Sequence, residues 1–100
     1  LLVGAATASE SMKLLEKGYS VQKFFPAEVS GGARALASFA SPLPQIKFCP
    51  TGGISPKNAT DYLMLQNVIC VGGSWVAPKD LITAGKWDAI EALAKIASEL

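Results

Sequence analysis

The chain has 100 residues, half of them hydrophobic, and a formal net charge of +1. This composition is that of an ordinary globular protein, and its interspersed charges leave no basic face for nucleic acid and no polybasic patch for a membrane. No apolar run reaches the roughly 18 residues that a membrane span needs, and the first residues lack the basic region of a signal peptide. We therefore expect a cytoplasmic protein with neither nucleic-acid nor membrane partners.

Strands and helices alternate along the sequence. Thr7 and Glu10 have the spacing of a helix-capping box, Ser55-Pro56 predicts an N-cap followed by proline at the first helical position, and Asp88 is predicted to cap the last helix. The predicted strands cover residues 1–4, 21–26, 46–49 and 67–71; helices are predicted between Thr7 and Gly18, over 33–40, after Ser55-Pro56, over 78–84 and after Asp88. A strand and a helix recur at intervals of roughly 22 to 25 residues, which predicts βα units and a parallel sheet.

The chain contains no histidine, which excludes His-based catalytic triads and the usual zinc sites. Its acidic residues are scattered over separate segments, so we predict no catalytic metal and no cofactor. Cys49 and Cys70 lie in apolar, strand-like runs, and we expect both to be buried, reduced thiols rather than a disulfide. An enzyme of this composition would use lysine, carboxylates, hydroxyls and backbone amides.

Lys23 stands inside the apolar run VQKFFPA at residues 21–27. A lysine that points into a low-dielectric pocket loses solvation of its ammonium form, so its pKa falls. A neutral lysine is a nucleophile that can attack a ketone and form a Schiff base. The alternative is a strand-end lysine with a buried stem and an ammonium group that reaches water.

Two glycine pairs follow consecutive predicted strands, Gly52-Gly53 after the third and Gly72-Gly73 after the fourth. Glycine lets backbone N–H groups approach an anion without a Cβ in the way, and a helix behind each loop would add partial positive charge. Because the loops after the last two strands of a β/α barrel commonly hold phosphate, we predict a phosphate site here. The alternative is that both pairs are ordinary turns.

Four motifs together point to a known family: KFFPAE at 23–28, SGG at 30–32, FCPTGGISP at 48–56 and GGSW at 72–75. They resemble the 2-keto-3-deoxy-6-phosphogluconate (KDPG) aldolases, class I pyruvate aldolases with a (β/α)8 barrel, many of which also act on 4-hydroxy-2-oxoglutarate. The resemblance runs across essentially the whole chain but covers only strands five to eight of that barrel. The expected fold class is therefore α/β, the second half of a TIM barrel, as a single partial domain over residues 1–100.

The resemblance assigns the chemistry to Lys23, which matches the Schiff-base lysine of the family. Phe25 and Pro26 match residues that shape the pocket beside it. The acid–base glutamate and the carboxylate-binding arginine of the family lie on its early strands and match nothing in this chain. Glu28 is not expected to replace that glutamate. Val3-Gly4 stands where the family often has Pro-Gly, so the loop near the pocket is expected to differ there.

The resemblance also assigns the substrate contacts. Gly52 and Gly53 match backbone donors to the substrate phosphate, and Gly73 and Ser74 match residues that bind the same phosphate from the other side. Thr51 matches a pocket threonine near the substrate hydroxyl that forms in the aldol step. The implied partner is a small phosphorylated 2-keto acid.

Four βα units would leave two exposed sheet edges and an uncovered apolar interior, so we expect either a fragment of a full barrel or a chain that pairs with another. The resemblance implies a lyase of the Entner–Doudoroff pathway that reversibly cleaves KDPG to pyruvate and glyceraldehyde 3-phosphate. Cleavage of 4-hydroxy-2-oxoglutarate to pyruvate and glyoxylate, and a homotrimer in the full-length form, are implied as well. The alternative is a non-catalytic, phosphate-binding half-barrel that folds only on association.

Overall fold

A small parallel sheet forms the centre of the protein. The computed structural model describes residues 2–100, so Leu1, with which the first predicted strand begins, lies outside the described residues. The strands are β1 (Val3–Ala5), β2 (Val21–Phe24) and β3 (Lys47–Pro50), in the order β1-β2-β3 with both pairs parallel. The predicted α/β class with a parallel sheet is confirmed.

Helices follow the strands, and the part of the chain from residue 2 onward contains α1 (Ala8–Glu16), α2 (Gly32–Ser38), α3 (Ala59–Leu63), α4 (Lys79–Thr83) and α5 (Trp87–Ala97). The capping box of α1 is confirmed, because the Glu10 N–H donates to Thr7 Oγ1 at 3.2 Å and the Thr7 N–H donates to Glu10 Oε1 at 3.0 Å. Within residues 2–100, no helix combines the length and the apolarity that crossing a bilayer requires.

The prediction of a regular fourth strand over residues 67–71 is wrong. This segment runs parallel to β3 but meets it only at two isolated bridges, Phe48 with Val68 and Thr51 with Gly72. Between these bridges the offset of the partners changes from 20 to 21 residues. The segment therefore carries one extra residue, which interrupts the ladder as a β-bulge does.

Two predicted helix caps are also wrong. Helix α3 begins at Ala59 rather than after Ser55, since the side chain of Asn58 occupies the turn between them. Asn58 Oδ1 accepts a hydrogen bond from the Ser55 N–H at 2.8 Å, and its Nδ2 donates to the Gly53 carbonyl at 2.9 Å. Asp88 lies within the first turn of α5, which begins at Trp87, so its charge favours the helix N-terminus without capping it.

The core lies on one side of the sheet, because successive strand side chains point to opposite faces. Gln22 and Phe24 of β2 are buried on the helix side, while Val21 and Phe25 are 41% and 49% exposed on the other. The Phe24 ring packs edge-on against those of Phe39 and Phe48. The core cluster comprises Phe24, Ala27, Leu36, Leu43, Ile46, Phe48, Ile54, Ala59 and Tyr62. The second face of the sheet is open except around Cys49, which is buried.

Helices α4 and α5 contain no buried residue. Trp87 and Ile96 of α5 are 62% and 60% exposed, although α5 has the apolar stripe of a helix that packs against a core. The open sheet face and this uncovered stripe together leave much apolar surface in contact with water, which is unusual for a monomer.

Candidate functional site

Lys23 lies on β2 and points to the open face of the sheet, since its neighbours Gln22 and Phe24 face the helices. The side chain is half-buried. Its Nζ lies 4.5 Å from the centroid of the Phe25 ring, in a cation–π contact. The apolar neighbourhood predicted for Lys23 is therefore formed in part by Phe25.

A cleft of about 450 Å³ opens beside Lys23 at the carboxyl ends of the strands, which is within the size range of small-molecule sites. Its walls are formed by Lys23, Phe25, Thr51, Gly52, Gly53, Ile54, Gly72, Gly73 and Ser74. The structure thus brings together all the predicted site residues except Pro26. The Cα of Pro26 instead lies behind the loop, where a Cβ on Gly52 would come within 2.9 Å of it.

The two glycine loops present free backbone donors. Among residues 2–100, no acceptor receives a hydrogen bond from the N–H groups of Gly52, Gly53, Gly73 or Ser74, whereas the Gly72 N–H donates to the Pro50 carbonyl at 3.0 Å. Unpaired backbone N–H groups that line a cleft are suited to bind an anion. Donors to such an anion would come from both loops.

Neither glycine pair leads directly into a helix. Helices α3 and α4 have five residues each and begin at Ala59 and Lys79, well beyond the glycine pairs. The effect of a helix dipole falls off within its first turn. Any anion held here would be held by the loop amides themselves.

Thr51, which directly follows β3, connects this strand to β2 and the segment after it by hydrogen bonds. Its N–H donates to the Phe24 carbonyl at 2.9 Å, and its own carbonyl accepts from the Ala27 N–H at 2.7 Å. The Thr51 hydroxyl oxygen is buried and has no hydrogen-bond partner among the described residues. Thr51 lines the cleft, and its unpaired hydroxyl is a buried polar group that calls for a partner.

Two glycines of the site are required by close packing. Gly73 lies under the Trp75 ring, and a Cβ there would overlap the ring carbons. Gly53 has φ +77°, and a Cβ there would lie 2.7 Å from Cγ of Glu28. Glu28 thus lies behind Gly53 and does not line the cleft.

The sequence did not indicate two further residues near Lys23. Ile54 is 6% exposed and forms the apolar wall after the glycine pair. Glu10 shares a second cleft, of about 350 Å³, with Lys23. The Ala6 N–H and the Thr7 hydroxyl both donate to its carboxylate, and these bonds lower the pKa of Glu10. Glu10 is therefore a helix-capping anion at the edge of the site.

The two cysteines differ. Cys49 is buried, and desolvation, with a smaller effect of the Cys70 thiol, raises its pKa to about 11. Cys70 is free and exposed, so the prediction that it is buried is wrong. Its segment carries the extra residue that interrupts pairing with β3, and the open face leaves it uncovered.

The profile of the KDPG and KHG aldolase family matches residues 1–93. The chain belongs to this family. The 2-dehydro-3-deoxy-phosphogluconate aldolase of Pseudoalteromonas atlantica is 54% identical over 95 residues, which are 95% of this chain and 44% of that protein. The chain therefore spans less than half the length of this curated relative.

Solved aldolase structures have the same fold over this region. The KDPG aldolase of Legionella pneumophila, with pyruvate captured at low pH as a covalent carbinolamine intermediate, is 46% identical with a TM-score of 0.94 over 97% of this chain and 47% of its own. The KDPG aldolase of Zymomonas mobilis ZM4, crystallised with 3-phosphoglycerate, is 48% identical with a TM-score of 0.86 over 98% of this chain and 46% of its own.

Proposed function

We propose that residues 1–100 form the C-terminal half of a class I aldolase barrel. Together with the other half, they would cleave KDPG reversibly to pyruvate and glyceraldehyde 3-phosphate, and 4-hydroxy-2-oxoglutarate to pyruvate and glyoxylate. The observation that carries this proposal is the single cleft that holds both Lys23 and the free amides of two glycine loops. A keto acid with a terminal phosphate matches these two features in charge and chemistry.

Lys23 supplies the covalent step. Its amine attacks the C2 carbonyl, and loss of water from the carbinolamine gives an imine. The protonated imine withdraws electrons from the C3–C4 bond, which breaks to release the aldehyde and leaves an enamine. Protonation of the enamine at C3 and hydrolysis return pyruvate and the free lysine. The acid–base group for the proton transfers would come from the half of the barrel that this chain lacks.

The glycine loops would bind the phosphate, with Gly52 and Gly53 on one side and Gly73 and Ser74 on the other. Each charge-assisted hydrogen bond to a phosphate contributes about 1.5–3 kcal/mol. The phosphate is remote from the bond that breaks, so its binding energy would orient C2 against Lys23 rather than stabilise the transition state directly. The Thr51 hydroxyl would contact the substrate hydroxyl, and Phe25, backed by Pro26, would shape the pyruvate end.

The open sheet face supports a half-barrel that needs a complement. Val21 and Phe25 are exposed on this face, and Leu2 lines the second cleft beside Lys23. In the Legionella relative, the matched region is 47% of the chain, so an equal length of barrel is available to cover such a face. We expect the completed barrel to form a homotrimer, which sedimentation equilibrium would test.

Borohydride trapping with pyruvate tests the proposed function. The protein is this chain joined behind the N-terminal half of the Pseudoalteromonas relative, and the adduct is located by peptide mass spectrometry. We expect one reduced pyruvate on Lys23 and none in Lys23→Arg, because guanidinium cannot be deprotonated in proteins. Lys47→Arg on β3 is the matched control, since the Lys47 ammonium donates to the Gln66 carbonyl at 3.1 Å, at an exposed position.

Trapping and turnover by Lys23→Arg at the unmutated level would contradict the imine. Phosphate binding without any trapping in the unmutated protein would favour the second candidate function, a non-catalytic half-barrel that binds phosphate. The free amides of the glycine loops support that alternative as well.

A further inference from the structure

Glu28 and Tyr62 form a hydrogen bond behind the glycine loop, outside the cleft. The Tyr62 side chain is fully buried on α3, and its hydroxyl donates to Glu28 Oε2. Burial, and secondarily this bond to Glu28, raises the pKa of the Tyr62 phenol, so the phenol stays a proton donor at neutral pH. The two residues are 34 positions apart in the sequence.

We propose that Glu28 and Tyr62 are positioning residues that hold the phosphate loop, residues 51–53, at its distance from Lys23. This inference rests on the proposed function, because it assigns the pair a role in the binding of the phosphorylated substrate. Neither side chain lines the cleft, so the pair acts through Gly53 and not on the substrate.

The main chain beside Glu28 is tied to the phosphate loop. The Ala27 N–H donates to the Thr51 carbonyl at 2.7 Å, and the Glu28 N–H donates to the Gly52 carbonyl at 3.1 Å. The segment that follows the lysine strand therefore runs directly against the loop. A shift of Glu28 would shift the loop relative to Lys23.

The side chain of Glu28 fills the space behind Gly53. A Cβ on Gly53 would lie 2.7 Å from Glu28 Cγ, and a Cβ on Gly32 would lie 3.2 Å from Glu28 Oε2. Both glycines thus leave room for this one side chain. From the other side, Asn58 Nδ2 donates to the Gly53 carbonyl at 2.9 Å. Gly53 is therefore supported by Glu28 and by Asn58, and its remaining side faces the cleft.

Tyr62 fixes the direction of the Glu28 side chain. Its ring belongs to the core cluster with Phe24 and Leu36, so its hydroxyl is a stationary donor. Without this hydrogen bond the Glu28 carboxylate would turn toward solvent, and the methylene groups of Glu28 would no longer pack against Gly53. Tyr62 thus connects the position of the loop to the packed core.

The test compares Glu28→Ala, Glu28→Gln and Tyr62→Phe in this chain joined to the N-terminal half of the Pseudoalteromonas relative. We expect Glu28→Ala and Tyr62→Phe to raise the KM for KDPG by roughly three- to tenfold, the effect of one lost hydrogen bond. The rate of imine trapping with pyruvate should stay within about twofold, because pyruvate carries no phosphate and its trapping does not depend on the position of the glycine loop. Glu28→Gln should restore a near-normal KM, since the amide oxygen still accepts from Tyr62 and the stem is retained.

Val29→Ala is the matched control, since Val29 is the next residue of the same loop and is 85% exposed. A second measurement needs no turnover: inorganic phosphate is titrated into the same joined protein, and the amide resonances of Gly52 and Gly53 are followed. Glu28→Ala should weaken this binding by the same factor as it raises KM. If Glu28→Ala does not fold, Tyr62→Phe, which removes one oxygen atom, gives the result.

An unchanged KM in Tyr62→Phe and Glu28→Ala would overturn the positioning role. An equal loss of kcat, pyruvate trapping and phosphate binding would also overturn it, because a purely structural defect gives that result. A Glu28→Gln variant as impaired as Glu28→Ala would overturn it as well. Failure of the proposed function is distinct, because it appears as absence of pyruvate trapping in the unmutated protein. Phosphate binding to the glycine loops would still decide the role of the pair in that case.

Discussion

Lys23 and Cys49 are direct partners across β2 and β3, so the proposed nucleophile and a buried thiol point to the same face of the sheet. The positive charge of Lys23 opposes the rise in the pKa of Cys49, but desolvation exceeds it. The thiol is therefore protonated at neutral pH and does not compete with the lysine as a nucleophile.

The two thiols should react at different rates with iodoacetamide. At pH 8 we expect Cys70 to be alkylated at least roughly tenfold faster than Cys49, since Cys70 is exposed and the pKa of Cys49 is raised to about 11. Peptide mass spectrometry of the 100-residue chain over time measures both rates. The same experiment in urea is the control, where the rates should converge, and equal rates in buffer would contradict the expectation.

The cap of α1 should make stability depend on pH. The pKa of Glu10 is lowered in the folded state from its usual 4.5, so its contribution is complete above about pH 4.5 and is lost as the pH falls through the folded-state pKa. The difference in the free energy of unfolding between the unmutated chain and Glu10→Ala should therefore shrink below pH 4.5. Urea unfolding at several pH values measures it. Ser9→Ala, on the same turn and not titratable, should show a difference that does not depend on pH.

Gly73→Ala should displace the Trp75 ring, because the new methyl group would overlap it. Overpacking of this kind costs about 1–3 kcal/mol, and the moved ring would disturb the second glycine loop. We expect a shift in Trp75 fluorescence and weaker phosphate binding, measured in a Trp87→Phe background so that only Trp75 emits. Gly4→Ala is the control, since its Cβ would have only an ordinary contact of 3.8 Å with the Lys23 carbonyl oxygen. Unchanged emission in Gly73→Ala would contradict the packing.

Phe48→Ala should destabilise the protein by roughly 3–5 kcal/mol, because the ring is fully buried between Phe24 and Phe39. Chemical unfolding of the completed barrel measures the loss. Met64→Ala, at a side chain that is 82% exposed, should change stability by less than about 0.5 kcal/mol. A Phe48→Ala loss as small as that of Met64→Ala would mean that this cluster is not the core.

Gly53→Val, a substitution meant to fill the space of the anion, is a poor test of phosphate binding. The Cβ would instead run into the stem of Glu28, so a loss of activity could not be assigned to the anion site alone. Glu28→Gln and Tyr62→Phe separate these two effects.

Features that depend on neighbours close in the chain could be predicted from the sequence. The capping box joins Thr7 and Glu10, which are three positions apart, and the alternation around Lys23 follows from the two-residue period of a strand. The glycine pairs directly follow apolar runs, so their location at the carboxyl end of a parallel sheet was predictable. Local chemistry sufficed for each of these features.

Features that depend on partners distant in the chain could be seen only in the folded structure. The segment 67–71 has strand composition, yet its pairing is broken by the extra residue relative to β3. Asn58 forms a hydrogen bond in the turn where Ser55 was expected to act as N-cap. Glu28 and Tyr62, 34 positions apart in the sequence, also form a hydrogen bond. Such contacts depend on how the βα units pack, because a side chain selects its hydrogen-bond partner from whatever the fold brings within about 3 Å.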